Sequence, residues 1–383
     1  MADLDIGVGQ TYATVAVAYL AAGVGDSFLY HATGGAPTTF DEPHTHFLLN
    51  GLTIKPAPGD EGLITVRPSG SPAYLWVAES DIMLIQGLKL ALGVGTVDKF
   101  IGIQGCNDGV IDNCEFTVPS FGRGIDLGPV PAAADGWTVQ ECKFTCTGNG
   151  IGLYPASLSN FVVKDSTFFV ESGHGVYNFY TTTQLAERCK FIGDGVNPGH
   201  GLCTLRYGTV RNCIFADLDY GIQGDRFSTT TGGVNNNTFY NCTQGIQLGV
   251  NDGIAALDNN AFVNCGTGIY RSASVNTPNA PDSNLFFGNG TDYVNYTPPI
   301  NSQTTNPLFT DAANQVFTFP TGSPLEDNGK NLAGIVDDDH IGTPRPQGPA
   351  WDIGAYELGW KGAFCGALLS KLCGKVITHY CGG

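Results

Sequence analysis

The amino-acid sequence predicts an all-β chain folded as a right-handed parallel β-helix, a three-sided solenoid of about ten coils. The first observation is a repeat of about 24 residues that covers the middle of the chain. The second is composition: 53 of 383 residues are glycine and only 14% are charged, which favours turns over helices. The third is the 42% hydrophobic content, which can fill a long core.

The repeat consists of a small residue, a variable residue and Phe, followed by Gly and an aliphatic residue. Its copies begin at steps of 23–28 residues. Coils that stack about 4.8 Å apart bring equal positions into columns. The Phe positions, which predict an interior stack, are Phe116, Phe144, Phe168, Phe191, Phe215, Phe239, Phe262 and, in a weaker copy, Phe286. The small positions, which predict a buried ladder, are Cys114, Cys142, Ser166, Cys189, Cys213, Asn237 and Asn260.

The small positions also decide how the 12 cysteines are interpreted. Cysteines that recur at one position of a repeat suit buried, reduced thiols, and parallel Cβ directions are poor for disulfides. Asn residues in such a ladder can bond to one another along the axis.

Four segments follow from this pattern. We assign residues 1–27 to an N-terminal cap with a short amphipathic helix over 11–22, and residues 28–300 to the β-helix, because a solenoid needs its end coils covered. Residues 53–55 and 63–66 are strand-like. Residues 301–358 form a C-terminal cap. Residues 359–383 form a cysteine-containing tail in which apolar residues recur every four positions, which predicts an amphipathic helix.

Several motifs resemble the pectate-lyase-like parallel β-helix superfamily. They are the opening Gly9-Gln10-Thr11-Tyr12, the Asn-Cys-any-Phe repeats, Asn306-Pro307-Leu308-Phe309 and Trp351-Asp352-Ile353-Gly354. The C-terminal motifs are similar to those of bacterial and bacteriophage members, the spike, fibre or capsid decoration type. The resemblance implies the fold over residues 5–358; it implies no single activity, since the superfamily holds lyases, hydrolases, esterases and non-catalytic viral spikes.

Catalytic candidates are few. Gly173-His174-Gly175 and Gly199-His200-Gly201 match one element of polygalacturonase-like hydrolases, but the accompanying carboxylate motifs are missing from the sequence around them. We therefore interpret both histidines as members of a surface column. His200, Arg206 and Asp219 remain catalytic candidates that can face one another on adjacent coils, against the alternative of an ordinary solvated turn.

A second column lies two residues after each repeat glycine. Tyr and Gln on an exposed sheet suit sugar rings or a neighbouring subunit, against the alternative of a merely solvated face. With the two histidines, the predicted ligand or interface ladder is Asp126, Tyr177, Gln223, Gln247, Tyr270, His174 and His200, with Gly152 and Cys203 filling the remaining positions.

Two groups have metal-ligand chemistry. Asp337, Asp338 and Asp339 are interpreted either as a Ca²⁺ site or as a plain loop. The tail offers Cys365, Cys373, His379 and Cys381, the ligand types of zinc without its tight spacing. For these cysteines a docking or self-association helix and a longer-range disulfide are the alternatives. We expect no other cofactor.

The net charge and the lack of targeting signals in the sequence restrict the kinds of partner that we expect. A net charge of −17 disfavours nucleic acid. The sequence begins without a basic and apolar leader and contains no long apolar run, so we expect no signal peptide and no membrane insertion.

Our first functional hypothesis is a non-catalytic bacteriophage surface protein. It would be a homotrimer made in the host cytoplasm, would contact capsid or tail proteins on the virion surface and would bind host-surface glycans. The alternatives are a lyase or hydrolase acting on acidic polysaccharide and a bacterial glycan-binding adhesion protein.

Overall fold

The structure is a computed structural model. It describes residues 2–69, 74–78, 81, 83–91, 99–103, 107–126, 135–155, 160–177, 184–205, 208–224, 233–249, 256–272, 280–296 and 298–359. Over these ranges the chain is a parallel β-solenoid of three 11-stranded sheets, which we name A, B and C. The predicted fold class is confirmed.

Sheet A begins inside the segment that the sequence assigned to the N-terminal cap, because the strand Asp3–Ile6 pairs in parallel with Ser27–Tyr30. Its strands are Asp3–Ile6, Ser27–Tyr30, Thr53–Pro56, Leu84–Gln86, Val110–Asp112, Thr138–Gln140, Val162–Lys164, Leu185–Glu187, Thr209–Arg211, Gly233–Asn235 and Ala256–Asp258.

Sheet B carries the Phe positions of the repeat. Its strands are Thr38–Glu42, Ile64–Pro68, Lys89–Ala91, Glu115–Val118, Lys143–Cys146, Thr167–Val170, Lys190–Gly193, Ile214–Ala216, Thr238–Tyr240, Ala261–Val263 and Leu285–Phe287.

Sheet C carries the glycine and aliphatic positions that follow. Its strands are Thr45–Phe47, Tyr74–Ala78, Lys99–Ile103, Arg123–Asp126, Ile151–Tyr154, His174–Tyr177, His200–Leu205, Tyr220–Gly224, Gln244–Leu248, Thr267–Arg271 and Thr291–Val294.

The predicted aromatic column is confirmed. The eight rings from Phe116 to Phe286 stack with centroids 4.6–5.1 Å apart and planes within 8° of parallel. All eight side chains are buried. One ring per coil thus fills the same place in every layer, which fixes the register of sheet B.

The small-residue ladder beside it is a hydrogen-bonded chain. The amide nitrogen of Cys213 donates to Oδ1 of Asn237 at 2.8 Å, and that of Asn237 donates to Oδ1 of Asn260 at 3.0 Å. The Asn260 amide nitrogen continues to Asn284 at 2.7 Å. The eight cysteines among the described residues are buried and form no disulfides. This agrees with the expectation of buried, reduced thiols.

The corner between sheets A and B explains why Asn often precedes the small position. The residue there has a left-handed backbone, with φ of 47° at Asn113, 54° at Asn212 and 58° at Asn259. Asn adopts this conformation more readily than other residues with a side chain. A short left-handed turn can therefore repeat coil after coil.

The N-terminal end is covered by the helix Val15–Tyr19, shorter than the predicted 11–22. The Thr14 side chain caps it by accepting from the Val17 amide. The buried Glu42 carboxylate accepts from the Val15 amide at 3.0 Å and from the Tyr30 hydroxyl at 2.7 Å. Burial raises the pKa of Glu42 to about 7.

Glu42 predicts a pH-dependent stability. Its folded pKa of about 7 lies above the ordinary 4.5, so the folded state holds a proton that the unfolded chain releases between these values. Its stabilising contribution is therefore complete below pH 4.5 and is lost as the pH rises through 7, a loss of roughly 3 kcal/mol by pH 8.

We expect Glu42→Gln to remove this dependence. Urea unfolding at pH 4 and pH 8 should show wild type losing roughly 3 kcal/mol relative to the variant at the higher pH. The exposed Glu115→Gln is the matched control and should follow wild type at both pH values. Parallel profiles for wild type and Glu42→Gln would contradict the assignment.

Residues 301–358, the predicted C-terminal cap, run back along the outside of sheet B. Phe317 and Ala355 pack on Ile214 and Ala216, and Phe319, Leu325 and Ile353 pack on the next strands of sheet B. Among the described residues of this segment, Ala312–Asn314 form a single 3₁₀ turn. The described part of this segment covers part of sheet B.

No helix in the described part of the chain has the length and apolar character needed to cross a bilayer.

Candidate functional site

Two outward columns run along sheet C, and together we call them the sheet C face. The first column is Lys99, Arg123, Ile151, His174, His200, Tyr220, Gln244 and Thr267. The second column is Asp126, Tyr154, Tyr177, Cys203, Gln223, Gln247 and Tyr270. Most of these side chains are half-buried, and the residues between the columns point into the core.

The structure corrects one position of the predicted ladder. Asp126 pairs with Tyr154, not with Gly152. Gly152 occupies the repeat-glycine position, where a Cβ would lie 2.6 Å from the Gly175 carbonyl oxygen and 3.1 Å from the Phe168 ring. The sequence Gly150-Ile151-Gly152-Leu153 offers the repeat two matches, and packing against the Phe column selects the second.

The same packing explains the two Gly-His-Gly motifs. A Cβ on Gly175 would lie 2.7 Å from the Phe191 ring, and one on Gly201 would lie 2.8 Å from the Phe215 ring. These glycines are therefore required by the aromatic column. His174 and His200 are in register on neighbouring strands and point outward.

One end of the sheet C face is basic. Lys99 Nζ lies 2.6 Å and Arg123 Nη1 3.0 Å from the same carboxylate oxygen of Asp126. The Asp126 side chain is fully buried, and its other oxygen has no hydrogen-bond partner among the described residues. Two cations thus share one carboxylate at this end of the face.

Aromatic contacts connect the basic end to the middle of the sheet C face. The Arg123 guanidinium lies over the Tyr154 ring at 4.0 Å. Tyr154 stacks on Tyr177 with centroids 5.8 Å apart and planes 17° apart, and Tyr177 lies 4.8 Å from the His174 ring. The side chains hold one another in place, so the face is ordered before any ligand arrives.

A histidine–cysteine cluster, formed by His174, His200 and Cys203, lies at the centre. Cys203 Sγ is 3.2 Å from Nδ1 of His174 and 3.3 Å from Nδ1 of His200. On the other side of the imidazole, His200 Nε2 lies 3.6 Å from the Asp219 carboxylate. The Tyr220 ring packs edge-on against His200.

Burial controls ionisation in this cluster. It lowers the pKa of His174 to about 4, an effect that the neighbouring His200 reinforces. It also lowers the pKa of His200 and exceeds the opposing effect of Asp219. Burial raises the pKa of the Cys203 thiol. Two neutral imidazoles and a neutral thiol are therefore present at pH 7.

The order Cys203, His200, Asp219 resembles a nucleophile, a base and an orienting acid. Cys203 is fully buried, however, and its pKa is raised, whereas a nucleophilic cysteine needs exposure and a lowered pKa. The cluster is therefore unsuited to thiol catalysis.

Of the three catalytic candidates, the structure brings His200 and Asp219 together, and Arg206 lies outside the described residues. The predicted ladder residues Asp126, Tyr177, Gln223, Gln247, Tyr270, His174 and His200 all lie on the sheet C face. Sequence reasoning missed Tyr154 and the convergence of Cys203 with the histidines. The sequence analysis also did not place Lys99 on this face, because the repeat is recognisable only from Cys114 onward.

The three consecutive aspartates lie elsewhere, in the C-terminal segment. Asp337 accepts from the Gly334 amide, Asp338 pairs with Arg188 at 2.7 Å, and Asp339 accepts from backbone amides on both oxygens. Protein donors thus already occupy these carboxylates. The other proposed ligands, Cys365, Cys373, His379 and Cys381, lie outside the described residues.

A cavity of about 400 Å³ opens where the C-terminal segment meets sheet B, lined by Tyr240, Phe287 and Phe309. It is remote from the sheet C face and contains no cluster of ionisable groups, so we place the candidate site on sheet C.

Comparison with solved structures defines the class of protein by its fold. The crystal structure of pectate lyase Pel9A matches with a TM-score of 0.56 at 13% identity, covering 93% of this chain and 96% of that chain. A rhamnogalacturonan lyase matches with a TM-score of 0.51 at 12% identity, covering 81% and 91%. The chain therefore has the pectate-lyase-like parallel β-helix fold. No family model and no curated protein matches its sequence.

Proposed function

We propose that the protein binds an extended polysaccharide, which lies along the sheet C face parallel to the solenoid axis. The observation that carries the proposal is the concentration of aromatic, amide and charged side chains along the two columns of sheet C, where Ile151, Cys203 and Thr267 are the exceptions. A polymer of similar units suits a surface whose side chains repeat with every coil.

The chemistry of the face suits sugars. Tyrosine offers an apolar ring together with a hydroxyl, and glutamine offers both donors and acceptors for sugar hydroxyls. Gln244 is half-buried on the same face, and its Oε1 atom has no hydrogen-bond partner among the described residues. Lys99 and Arg123 would hold a carboxylate of an acidic sugar at the basic end.

Binding is favoured over glycoside hydrolysis. A hydrolase needs two carboxyl groups about 5–9.5 Å apart on either side of the scissile bond. Asp126 and Asp219 are separated by four coils, roughly 19 Å at about 4.8 Å per coil. They cannot flank one bond.

Tyr177 gives the sharpest test of binding. We expect Tyr177→Ala to weaken polysaccharide affinity about tenfold or more, because it removes a central aromatic contact and loosens Tyr154 and His174. Isothermal titration with polygalacturonate, alginate and neutral glucans measures it.

Phe169→Ala, an exposed aromatic on sheet B, is the matched control and should bind as wild type does. No measurable binding by wild type to any glycan, or equal affinities for both variants, would exclude the sheet C face as the binding surface.

A polysaccharide lyase is the second candidate function. The observation that favours it is the pair of basic side chains, Lys99 and Arg123, beside the Asp126 carboxylate. Base-catalysed elimination from an acidic sugar needs a basic side chain near a group that neutralises the sugar carboxylate. The same incubations should then generate unsaturated products that absorb in the ultraviolet, and Arg123→Ala should abolish them. If glycan binds and no such product forms, the binding function stands alone.

A bacteriophage surface location would give such a binding protein its biological role, and we retain it as a proposal together with a homotrimeric state. A glycan-binding solenoid suits attachment to host-surface polysaccharide. Light scattering of the purified chain tests the trimer, and detection of the chain in purified particles tests the location. A chain that is monomeric and not found in particles would instead favour the bacterial adhesion alternative.

A further inference from the structure

Three side chains of the sheet C face converge on one point. His174, His200 and Cys203 each offer one ligand atom, and these three atoms all lie within 4.8 Å of one another. The two distances to sulfur, 3.2 and 3.3 Å, are the shortest polar contacts that this thiol makes among the described residues. One nitrogen atom from each imidazole thus faces the same sulfur.

The nitrogen-to-sulfur distances are close to those of a tetrahedral zinc site. With Zn–N of about 2.0–2.1 Å and Zn–S of about 2.3 Å, a tetrahedral site separates nitrogen from sulfur by about 3.5 Å. The observed nitrogen-to-sulfur separations of 3.2 and 3.3 Å need to widen by a few tenths of an ångström. The two nitrogens, which lie within 4.8 Å of each other, need to come to about 3.3 Å in the same tetrahedral site. Imidazole and thiolate select zinc and similar transition metals over Ca²⁺ or Mg²⁺, which prefer oxygen.

The scaffold holds the three ligands firmly. His200 and Cys203 lie on one strand, three residues apart, and His174 is in register with His200 on the strand below. The main-chain hydrogen bonds of sheet C therefore fix their spacing. The half-buried imidazoles leave the cluster reachable from the sheet C face.

Asp219 lies beside His200 on the side where such sites have an outer hydrogen-bond acceptor. A histidine that binds metal through Nδ1 carries its proton on Nε2 and donates it to an acceptor, often a carboxylate. The Asp219 carboxylate lies 3.6 Å from His200 Nε2, on the side away from the sulfur. The amide of Asp219 is itself bonded to the Gly199 carbonyl oxygen at 3.0 Å, which positions it.

We propose that His174, His200 and Cys203 bind one Zn²⁺ ion, with Asp219 as a positioning residue and the fourth coordination position open to water or a ligand oxygen. Three protein ligands and one exchangeable position define an open zinc site. The site lies between the aromatic stack and the glutamines, where a bound glycan hydroxyl or carboxylate can reach it. The metal binding itself does not depend on glycan binding.

The test uses the full chain, stripped with a chelator and titrated with Co²⁺ and then Zn²⁺. The tail cysteines could also bind metal, so the experiment compares two variants. One carries Cys365→Ser, Cys373→Ser and Cys381→Ser together, and the other adds Cys203→Ala to these three. We expect the first variant to bind one equivalent of Co²⁺, with a thiolate-to-cobalt charge-transfer absorption that Zn²⁺ displaces.

Adding Cys203→Ala should abolish the charge-transfer band, and adding His174→Asn should weaken metal binding at least tenfold. Cys146→Ala, a buried cysteine without a histidine partner, is the matched control and should keep the band. Zn²⁺ should raise the thermal midpoint of every variant that retains the site. A cooperative thermal transition of the Cys203→Ala variant without metal shows that this variant folds. A chain with intact His174, His200 and Cys203 that gives no thiolate band, or a band that persists without Cys203, would overturn the proposal.

Discussion

Replacing Phe191 by Ala is expected to lower the free energy of unfolding by about 3–5 kcal/mol. Phe191 lies in the middle of the aromatic column, with ring centroids 4.8 Å from Phe168 and 4.9 Å from Phe215. It is fully buried, so the substitution removes a whole ring from the core and opens a cavity between two layers. The Gly175 backbone, packed against this ring, loses its support as well.

Urea unfolding followed by far-ultraviolet circular dichroism measures the effect. The transition slope should be compared with wild type, because repeat arrays can lose cooperativity when one coil is weakened. Phe169→Ala removes an exposed ring from the neighbouring strand Thr167–Val170 and should change stability little. Equal losses for the two variants would mean that the interior stack does not hold the coils together.

Arg345→Met is expected to destabilise the protein by about 3–5 kcal/mol, because it leaves a buried acid without its partner. Arg345 is fully buried and donates to the Glu357 carboxylate at 2.9 Å and to the carbonyl oxygens of Asp352 and Gly354. These bonds hold the C-terminal segment in its folded course against sheet B. Burial lowers the pKa of Arg345, and the neighbouring Glu357, Asp339 and Asp352 oppose this effect.

The measurement is again urea unfolding, together with limited proteolysis of residues 301–358, which should become susceptible first. Arg67→Met is the matched control, because its pair with Asp41 has both side chains more than half exposed and should contribute little. If Arg345→Met unfolds at the wild-type urea midpoint, the buried pair does not anchor this segment.

The fold could be predicted from sequence because its determinants recur along the chain. Each coil contributes one Phe and one small residue to its interior, and these two residue types therefore recur about every 24 positions in the sequence. The hydrogen bonds from Cys213 through Asn237 to Asn260 are those that stacked identical positions must make. Tyr154 was missed because two glycines two residues apart match the pattern equally well, and only contact with Phe168 distinguishes them.

The site was predicted in part. The sequence placed Tyr177, Gln223, Gln247 and Tyr270 on one face, because strand alternation separates them from the aliphatic residues beside them. It did not predict that Cys203 faces two histidines. His174 and His200 are 26 residues apart, whereas His200 and Tyr220, also in register, are 20 apart. Spacing alone cannot align them.

The sequence by itself determined the architecture. Every coil buries the same residue types at the same place, so these residue types recur at a regular spacing along the chain. The tertiary structure decided which side chains meet across coils and which sheet residues 301–358 pack against. The connections between strands differ in length, so the number of residues per coil varies. Backbone hydrogen bonds between neighbouring strands still keep equivalent residues in register. The meeting of His174, His200 and Cys203 therefore depends on pairing between strands, which residue spacing does not encode.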